Sequence, residues 1–270
     1  MKPKIHLVTR ADDAGSCRSA NEAILECVEA GVIKNVSFMA VGPEIEHAVE
    51  LLGGRDDIAY GFHVCLNSEW QEVKWGPLTN RPVLVDERGH LLPFPHDTQA
   101  AIERETKAAY TLGGRYYPEP ADAEMDTDYE IHAQWKRLQN LGLKISYVDE
   151  HMGISRVVDS VRFRIASFCQ HNELVDVHSI PYLPIATATN DPLNDLEERL
   201  KWATGQSYVW VTHPGKEAPD MDRFYLAGGQ PGIVARERDA ERRLLCDPRL
   251  PKLLASRKVK IARYDELPRR

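Results

Sequence analysis

Short apolar runs along the chain alternate with stretches whose apolar residues recur at helical spacing. The runs at 4–9, 36–41, 58–63, 145–149, 174–177, 207–212 and 259–262 predict strands, bounded by Gly, Pro, Asp and Asn. Ala20, Ile24, Cys27 and Val28 mark one face of a helix that starts near Asn21 and stops at Gly31. Pro43 suits the first turn of a short helix running through Ala48 and Val49 to Leu52. Thr127-Asp128-Tyr129-Glu130 reads as a capping box opening a helix, with Ile131, Trp135, Leu138 and Leu141 on its apolar face and Gly142 at its end. Further helices are expected over 158–169, 196–203 and 235–246. Strands that alternate with helices pair in parallel through right-handed crossovers. The expected fold is therefore α/β, a distorted TIM-like (β/α) barrel of about seven parallel strands spanning residues 1–270 as one domain.

The pattern lapses between residues 66 and 99, where Trp70, Trp75 and several prolines make a segment too long for an ordinary connection. Residues 110–122 and 181–192 also read as irregular, and 216–232 as a loop carrying Arg223, Phe224 and Tyr225. A net charge of −7 gives no reason to expect nucleic acid or an anionic membrane as partner, and favours a neutral substrate. The five cysteines are scattered without a CxxC pair, so a disulfide framework or zinc ribbon is not suggested, and reduced thiols in the cytoplasm are expected. The first residues make a poor signal peptide, and no apolar run approaches membrane-spanning length. A homodimer is left open.

Candidate chemistry lies where the strands stop. The first ends in Asp12-Asp13-Ala14-Gly15, the third in His63, the fourth in Asp149-Glu150-His151 and the late strand in Thr212-His213-Pro214-Gly215. Carboxyl ends of parallel strands are where α/β folds hold ligands. A plainer use of the first turn is helix capping, with Ser16 or Ser19 as the cap. One carboxylate with two imidazoles binds a divalent metal and leaves positions open for water and substrate. Asp13, His63 and His151 make that set. Asp12 is then free to accept a proton from the attacking water, and His213 to give one to the leaving group. Asp149 either orients a ligand imidazole or caps its turn, and two imidazoles lean towards Zn²⁺ while a water-rich site suits Mg²⁺. Trp70, Trp75, Phe224 and Tyr225 are candidates to stack on a sugar ring, with packing expected for at least two of them. His178, at another strand end, is an outside candidate for the pocket.

The motifs Arg10-Ala11-Asp12-Asp13-Ala14-Gly15, Gly61-Phe62-His63-Val64, Val148-Asp149-Glu150-His151 and Thr212-His213-Pro214-Gly215, in this order, resemble those of the YdjC-type carbohydrate deacetylases, the chitooligosaccharide deacetylase group. Asn21-Glu22-Ala23-Ile24, Ser68-Glu69-Trp70 and Trp75-Gly76-Pro77-Leu78 extend the resemblance over nearly the whole chain. It implies a barrel-like fold, a divalent metal and hydrolysis of the acetamide of an acetylated amino sugar or oligosaccharide. By the same resemblance Asp13, His63 and His151 bind the metal and Asp12 is the general base. Ala14 stands where a bulky apolar residue is usual, Cys65 where Thr is usual, and Gly153 where many relatives carry a further His. A metal-dependent hydrolase of another bond, such as a phosphoester, and a sugar-binding protein without catalysis are the alternatives.

Overall fold

The computed structural model describes residues 5–80, 82–111, 121–185, 191–204 and 207–267. Strands β1 (Ile5–Ala14), β2 (Asn35–Phe38), β3 (Ala59–Val64), β4 (Ile145–Glu150), β5 (Val175–Asp176), β6 (Ser207–Thr212) and β7 (Val259–Ala262) form one parallel sheet. Its order is β5-β4-β3-β2-β1-β6, with β7 beside the first half of β1, below β2. The Asn35 side chain joins these two strands: its Nδ2 donates to the carbonyls of Thr9 and Ala262. After β5, Leu183 N–H donates to the Val209 carbonyl and Val209 N–H to that of Pro181, carrying the pairing round to β6. The sheet thus curls into the expected distorted α/β barrel.

Period-two alternation explains what faces inward. Val8, Ala59, Tyr147, Val209 and Tyr264 form a small apolar cluster separate from the main core. Two residues further along their strands come Arg10, Gly61, Asp149 and Val211, and two further still Asp12 and His63. The intervening Leu7, Val36, Phe38, Phe62, Val148, Tyr208 and Trp210 belong to the large outer core. That core includes residues of α1 (Arg18–Glu29), α2 (Ile45–Leu52), α4 (Ala121–Asn140), α5 (Asp159–His171) and α7 (Ile233–Leu245). The interior therefore runs from an apolar floor to a charged mouth. Gly61 is required by this layering, since a Cβ there would sit 2.2 Å from the Tyr147 ring. Gly61→Ala is expected to lower stability by about 1–3 kcal/mol through overpacking, read as a shifted denaturant midpoint with an unchanged m-value.

Several boundaries differ from expectation. β2 ends at Phe38, not at 41, because the chain then turns, with Gly42 N–H donating to the Met39 carbonyl. α1 begins at Arg18, and Asn21 instead braces the turn before it, accepting from Gly15 N–H and donating to the Glu44 carbonyl. Neither Ser16 nor Ser19 caps this helix; the distant Asp220 accepts from Ser19 N–H. The Thr127–Glu130 capping box lies inside α4, where Glu130 accepts from the backbone of Leu78 and Thr79 instead. A helix, α3 (Pro95–Thr111), starts within the segment read as a loop, while 112–120 of the irregular stretch lie outside the described residues. α6 (Pro192–Trp202) starts earlier than expected, with Asp191 as its N-cap, and α8 (Leu250–Ser256) had no predicted counterpart. Among the described residues no helix is long and apolar enough to cross a membrane.

Candidate active site

The mouth of the barrel holds a buried charge cluster built on three strand ends. Asp13 leaves β1 in the left-handed region (φ 65°), a conformation that Asp tolerates better than most residues. The turn this makes carries Asp13 Oδ1 to 3.3 Å from His151 Nδ1 and 3.5 Å from His63 Nε2. Each imidazole is oriented from behind by a carboxylate, as metal-binding histidines usually are. His63 Nδ1–H donates to Asp149 Oδ1 at 3.1 Å, and His151 Nε2–H donates to Glu69 Oε2 at 2.9 Å. Those bonds fix the tautomers and leave His63 Nε2 and His151 Nδ1 as the free ligand atoms, both facing Asp13.

Electrostatics favour charge on both the acids and the bases of the cluster, so an ion bound there would displace the protons that the two imidazoles otherwise hold. Burial alone would raise the Asp13 carboxyl, but Arg238 and the two imidazoles hold it well below the usual carboxylate range. Arg238 Nη2, from α7, donates to Asp13 Oδ2 at 2.7 Å. Burial works against charge on His63 too, yet Asp149, Asp12 and Asp13 raise it to about 9, and His151 is raised by Glu69 and Asp13. Asp13 Oδ1 and His63 Nε2 are fully buried and make no hydrogen bond with any described residue. A polar atom left this way is expensive unless something binds it. Asp13, His63 and His151 together offer three ligand atoms within 4.8 Å of one another, a donor set suited to a divalent ion. Asp12, His63 and Asp149 form a second such group, but Asp12 and Asp149 are already engaged by arginine.

Asp12 is held by Arg10 in a two-pronged pair, with Nε and Nη2 donating to Oδ1 and Oδ2 at 2.6 and 2.8 Å. Arg10 Nε also lies 2.9 Å from Asp149 Oδ2, which accepts from Ser37 Oγ at 2.8 Å. Asp149 therefore braces Arg10 and His63 at once. His213 follows β6, the neighbour of β1, and its Nε2 lies 4.0 Å from Asp12 Oδ2. Its side chain is 42% exposed, unlike the buried Asp13, His63 and His151. All of these groups except Ser37 line one cavity of about 760 Å³, together with Glu69, Trp70, Glu150, Gly153, His178 and Arg238. Trp75 does not line it: the ring packs edge-on behind His151 at 5.7 Å, and its Nε1–H donates to the Asn67 carbonyl. Phe224 is buried against Trp70, and Tyr225 bonds to Glu72.

The family model described as YdjC-like protein matches residues 6–256. The chain belongs to the YdjC-like family. Among its relatives are the carbohydrate deacetylase of Geobacillus stearothermophilus, 26% identical over 97% of both chains, and carbohydrate deacetylase 2 of Listeria innocua, 26% identical over 98% of this chain and 99% of that one. A crystal structure of a putative cellobiose-phosphate cleavage protein from Enterococcus faecalis superposes with a TM-score of 0.74 at 15% identity, covering 99% of this chain and all of that one. That likeness establishes a shared fold.

Within this YdjC-like site, the sequence alone assigns no role to Arg10, Glu69 or Arg238, although Arg10 and Glu69 stand within the motifs that carry the resemblance. Arg10 was findable: a charged residue within an apolar strand, two positions before Asp12, shares its inward face. Glu69 sits in an irregular loop and Arg238 on a helix charged all round, so no periodicity marks either. The departures from the family pattern are locally absorbed. Ala14 is fully buried, Cys65 is buried with its thiol donating to the Asn67 carbonyl, and Gly153 adopts a left-handed conformation (φ 59°) on the cavity wall.

Proposed function

We propose that this chain is a metal-dependent carbohydrate deacetylase, removing the acetyl group from N-acetylated amino sugars or chitooligosaccharide-type chains. Membership of the YdjC-like family and full-length relatives named carbohydrate deacetylase support the reaction class. The observation that carries the metal is the pair of buried, unbonded ligand atoms on Asp13 and His63, facing His151. These three residues would hold Zn²⁺ or Mg²⁺, which when bound polarises the acetyl carbonyl and makes nearby water more acidic.

The chain's own groups account for the proton movements. Asp12, fixed by Arg10, accepts the proton of the attacking water. His213 protonates the amide nitrogen as the C–N bond breaks, because an amide nitrogen is a poor leaving group unless protonated. Its partial exposure at the cavity mouth suits an acid that must be reprotonated from solvent in each cycle. Asp149 and Glu69 keep the two imidazoles in their ligating tautomers. Trp70 lines the cavity with Arg238 over its ring and Phe224 packed against it, and what these leave open is apolar surface for a sugar. Free, mostly buried thiols suit a reducing compartment, and we place the protein in the cytoplasm.

Incubating the metal-loaded protein with short N-acetylated chitooligosaccharides, and separately with a panel of phosphoesters, tests the reaction class. Acetate and a free amine are expected in equal amounts from the first and no phosphate from the second. Phosphate release without acetate would overturn the reading in favour of a phosphoester hydrolase, and binding without any product would leave a sugar-binding protein. Glu69→Gln should weaken metal affinity by about 10- to 100-fold, the usual effect of losing a ligand's supporting carboxylate. Metal titration of the variant checks this, and an unchanged affinity would remove Glu69 from the site.

A further inference from the structure

The cavity wall also carries a second polar assembly, around Glu150 and His178, that the proton movements above do not use. Glu150 ends β4, one residue after Asp149 and one before His151. Its Oε1 accepts from Ser155 Oγ and, at 2.8 Å, from His178 Nε2. His178 Nδ1 in turn lies 2.6 Å from Asp176 Oδ1, and Asp176 Oδ2 accepts from Arg162 Nη1 at 3.0 Å. An imidazole between two carboxylates donates from both nitrogens and is therefore a cation. It cannot take a proton from Ser155, so Ser155, His178 and Asp176 are not a nucleophilic triad despite their order. Their effect is to fix one oxygen of Glu150 and balance its charge.

The other oxygen, Oε2, is fully buried and accepts no hydrogen bond from any described residue, although the Glu150 side chain is only 4% exposed and lines the cavity. Glu150 belongs to neither group of ligand atoms able to hold a metal. His178 already matches its charge, so what Oε2 lacks is a hydrogen and not a cation. Neutral donors that enter this cavity are, on the deacetylase reading, the sugar hydroxyls and the acetamide N–H, and the latter belongs to the nitrogen that His213 serves. Glu150 lines the same cavity as Asp13, His63 and His151 and directly precedes His151 in the chain, which sets this acceptor in the pocket of the proposed metal ligands and not at a remote subsite.

We infer that Glu150 Oε2 accepts a hydrogen bond from a ring hydroxyl of the same sugar unit that carries the acetamide, with Ser155 and His178 as positioning residues. The substrate class is then an acetylated sugar with a free hydroxyl on the reacting unit. This rests on the proposed deacetylase activity. Sites built to bind a hydroxyl discriminate strongly against analogues that lack it, because the buried acceptor is left unpaired.

The test is a panel of monodeoxy N-acetylglucosamine derivatives, assayed on the wild-type chain and on Glu150→Ala, with metal content measured for both. One deoxy analogue should lose about 10- to 100-fold in kcat/KM on the wild type, the value of a hydrogen bond to a charged group. The same analogue should react no worse than the parent sugar on Glu150→Ala, with the bound metal retained. An equal loss for that analogue on both proteins overturns the inference while the deacetylase reading stands. Wild-type protein inactive on every acetylated sugar overturns the deacetylase reading and this one with it. If Glu150→Ala does not fold, the wild-type panel still decides, since a flat response to all monodeoxy analogues excludes a buried hydroxyl acceptor.

Discussion

Removing the divalent ion is expected to abolish turnover, and His63→Ala and His151→Ala should each do so by losing it. The expectation follows from how the three proposed ligands are held. Asp13 cannot withdraw, because its backbone holds a left-handed conformation at the end of β1 and its second oxygen is tied to Arg238 at 2.7 Å. Neither imidazole can rotate away without breaking its bond to Asp149 or Glu69. A preorganised set of this kind loses little ordering entropy on binding an ion, so each ligand contributes strongly and its loss should exceed the effect of Glu69→Gln. Chelation followed by elemental analysis and readdition of Zn²⁺ or Mg²⁺ checks this. Activity should return only with metal, and the ion that restores it identifies the working cofactor. Full activity in thoroughly stripped protein, or unchanged metal affinity in both histidine variants, would show that the site lies elsewhere.

Much of this arrangement is visible in the sequence because it obeys strand periodicity. Asp12, His63 and Asp149 sit on inward faces at strand ends, and a buried strand announces itself as an apolar run whose polar terminus stands out. His213 is found the same way. The remainder is tertiary. Arg238 reaches Asp13 from α7 across 225 residues of sequence, and Glu69 reaches His151 from a loop with no regular pattern. No local rule pairs such residues. The start of α1 is hidden for a related reason: Asp220, far along the chain, accepts from Ser19 N–H, so the local serines that would mark the start are not used. Inside α4, Glu130 is drawn to the Leu78–Thr79 backbone, so a capping motif was mistaken for a boundary. Trp75 shows the limit for aromatics. Its place in a loop suggested a sugar platform, yet the indole N–H bonds to the Asn67 carbonyl and the ring backs His151.

Asp12→Asn should keep the metal and the affinity for substrate but lose about 10²- to 10⁴-fold in kcat, the range for a positioned base. Asparagine matches aspartate in shape but cannot accept the proton, and Asp12 is not among the three proposed ligands. The Arg10 pair complicates a simple reading, since breaking a buried ion pair by removing one partner leaves a charge uncompensated. Here Arg10 keeps Asp149 at 2.9 Å and the Tyr264 hydroxyl at 3.3 Å, so the variant should fold with reduced stability. A loss of kcat with normal metal content and KM would then reflect chemistry, and near-normal kcat would sink the base assignment. His213→Ala is the cleaner half of the comparison, because this half-exposed side chain supports no core packing. It should lose about 10²- to 10⁴-fold as well. In the double variant the two losses should not multiply, since a proton taken by Asp12 and one given by His213 serve the same bond-breaking sequence, and removing either group stalls it. Fully multiplicative losses would mean that the two residues stabilise one transition state independently, and would move the action of His213 from the later departure of the amine to the step in which Asp12 takes its proton.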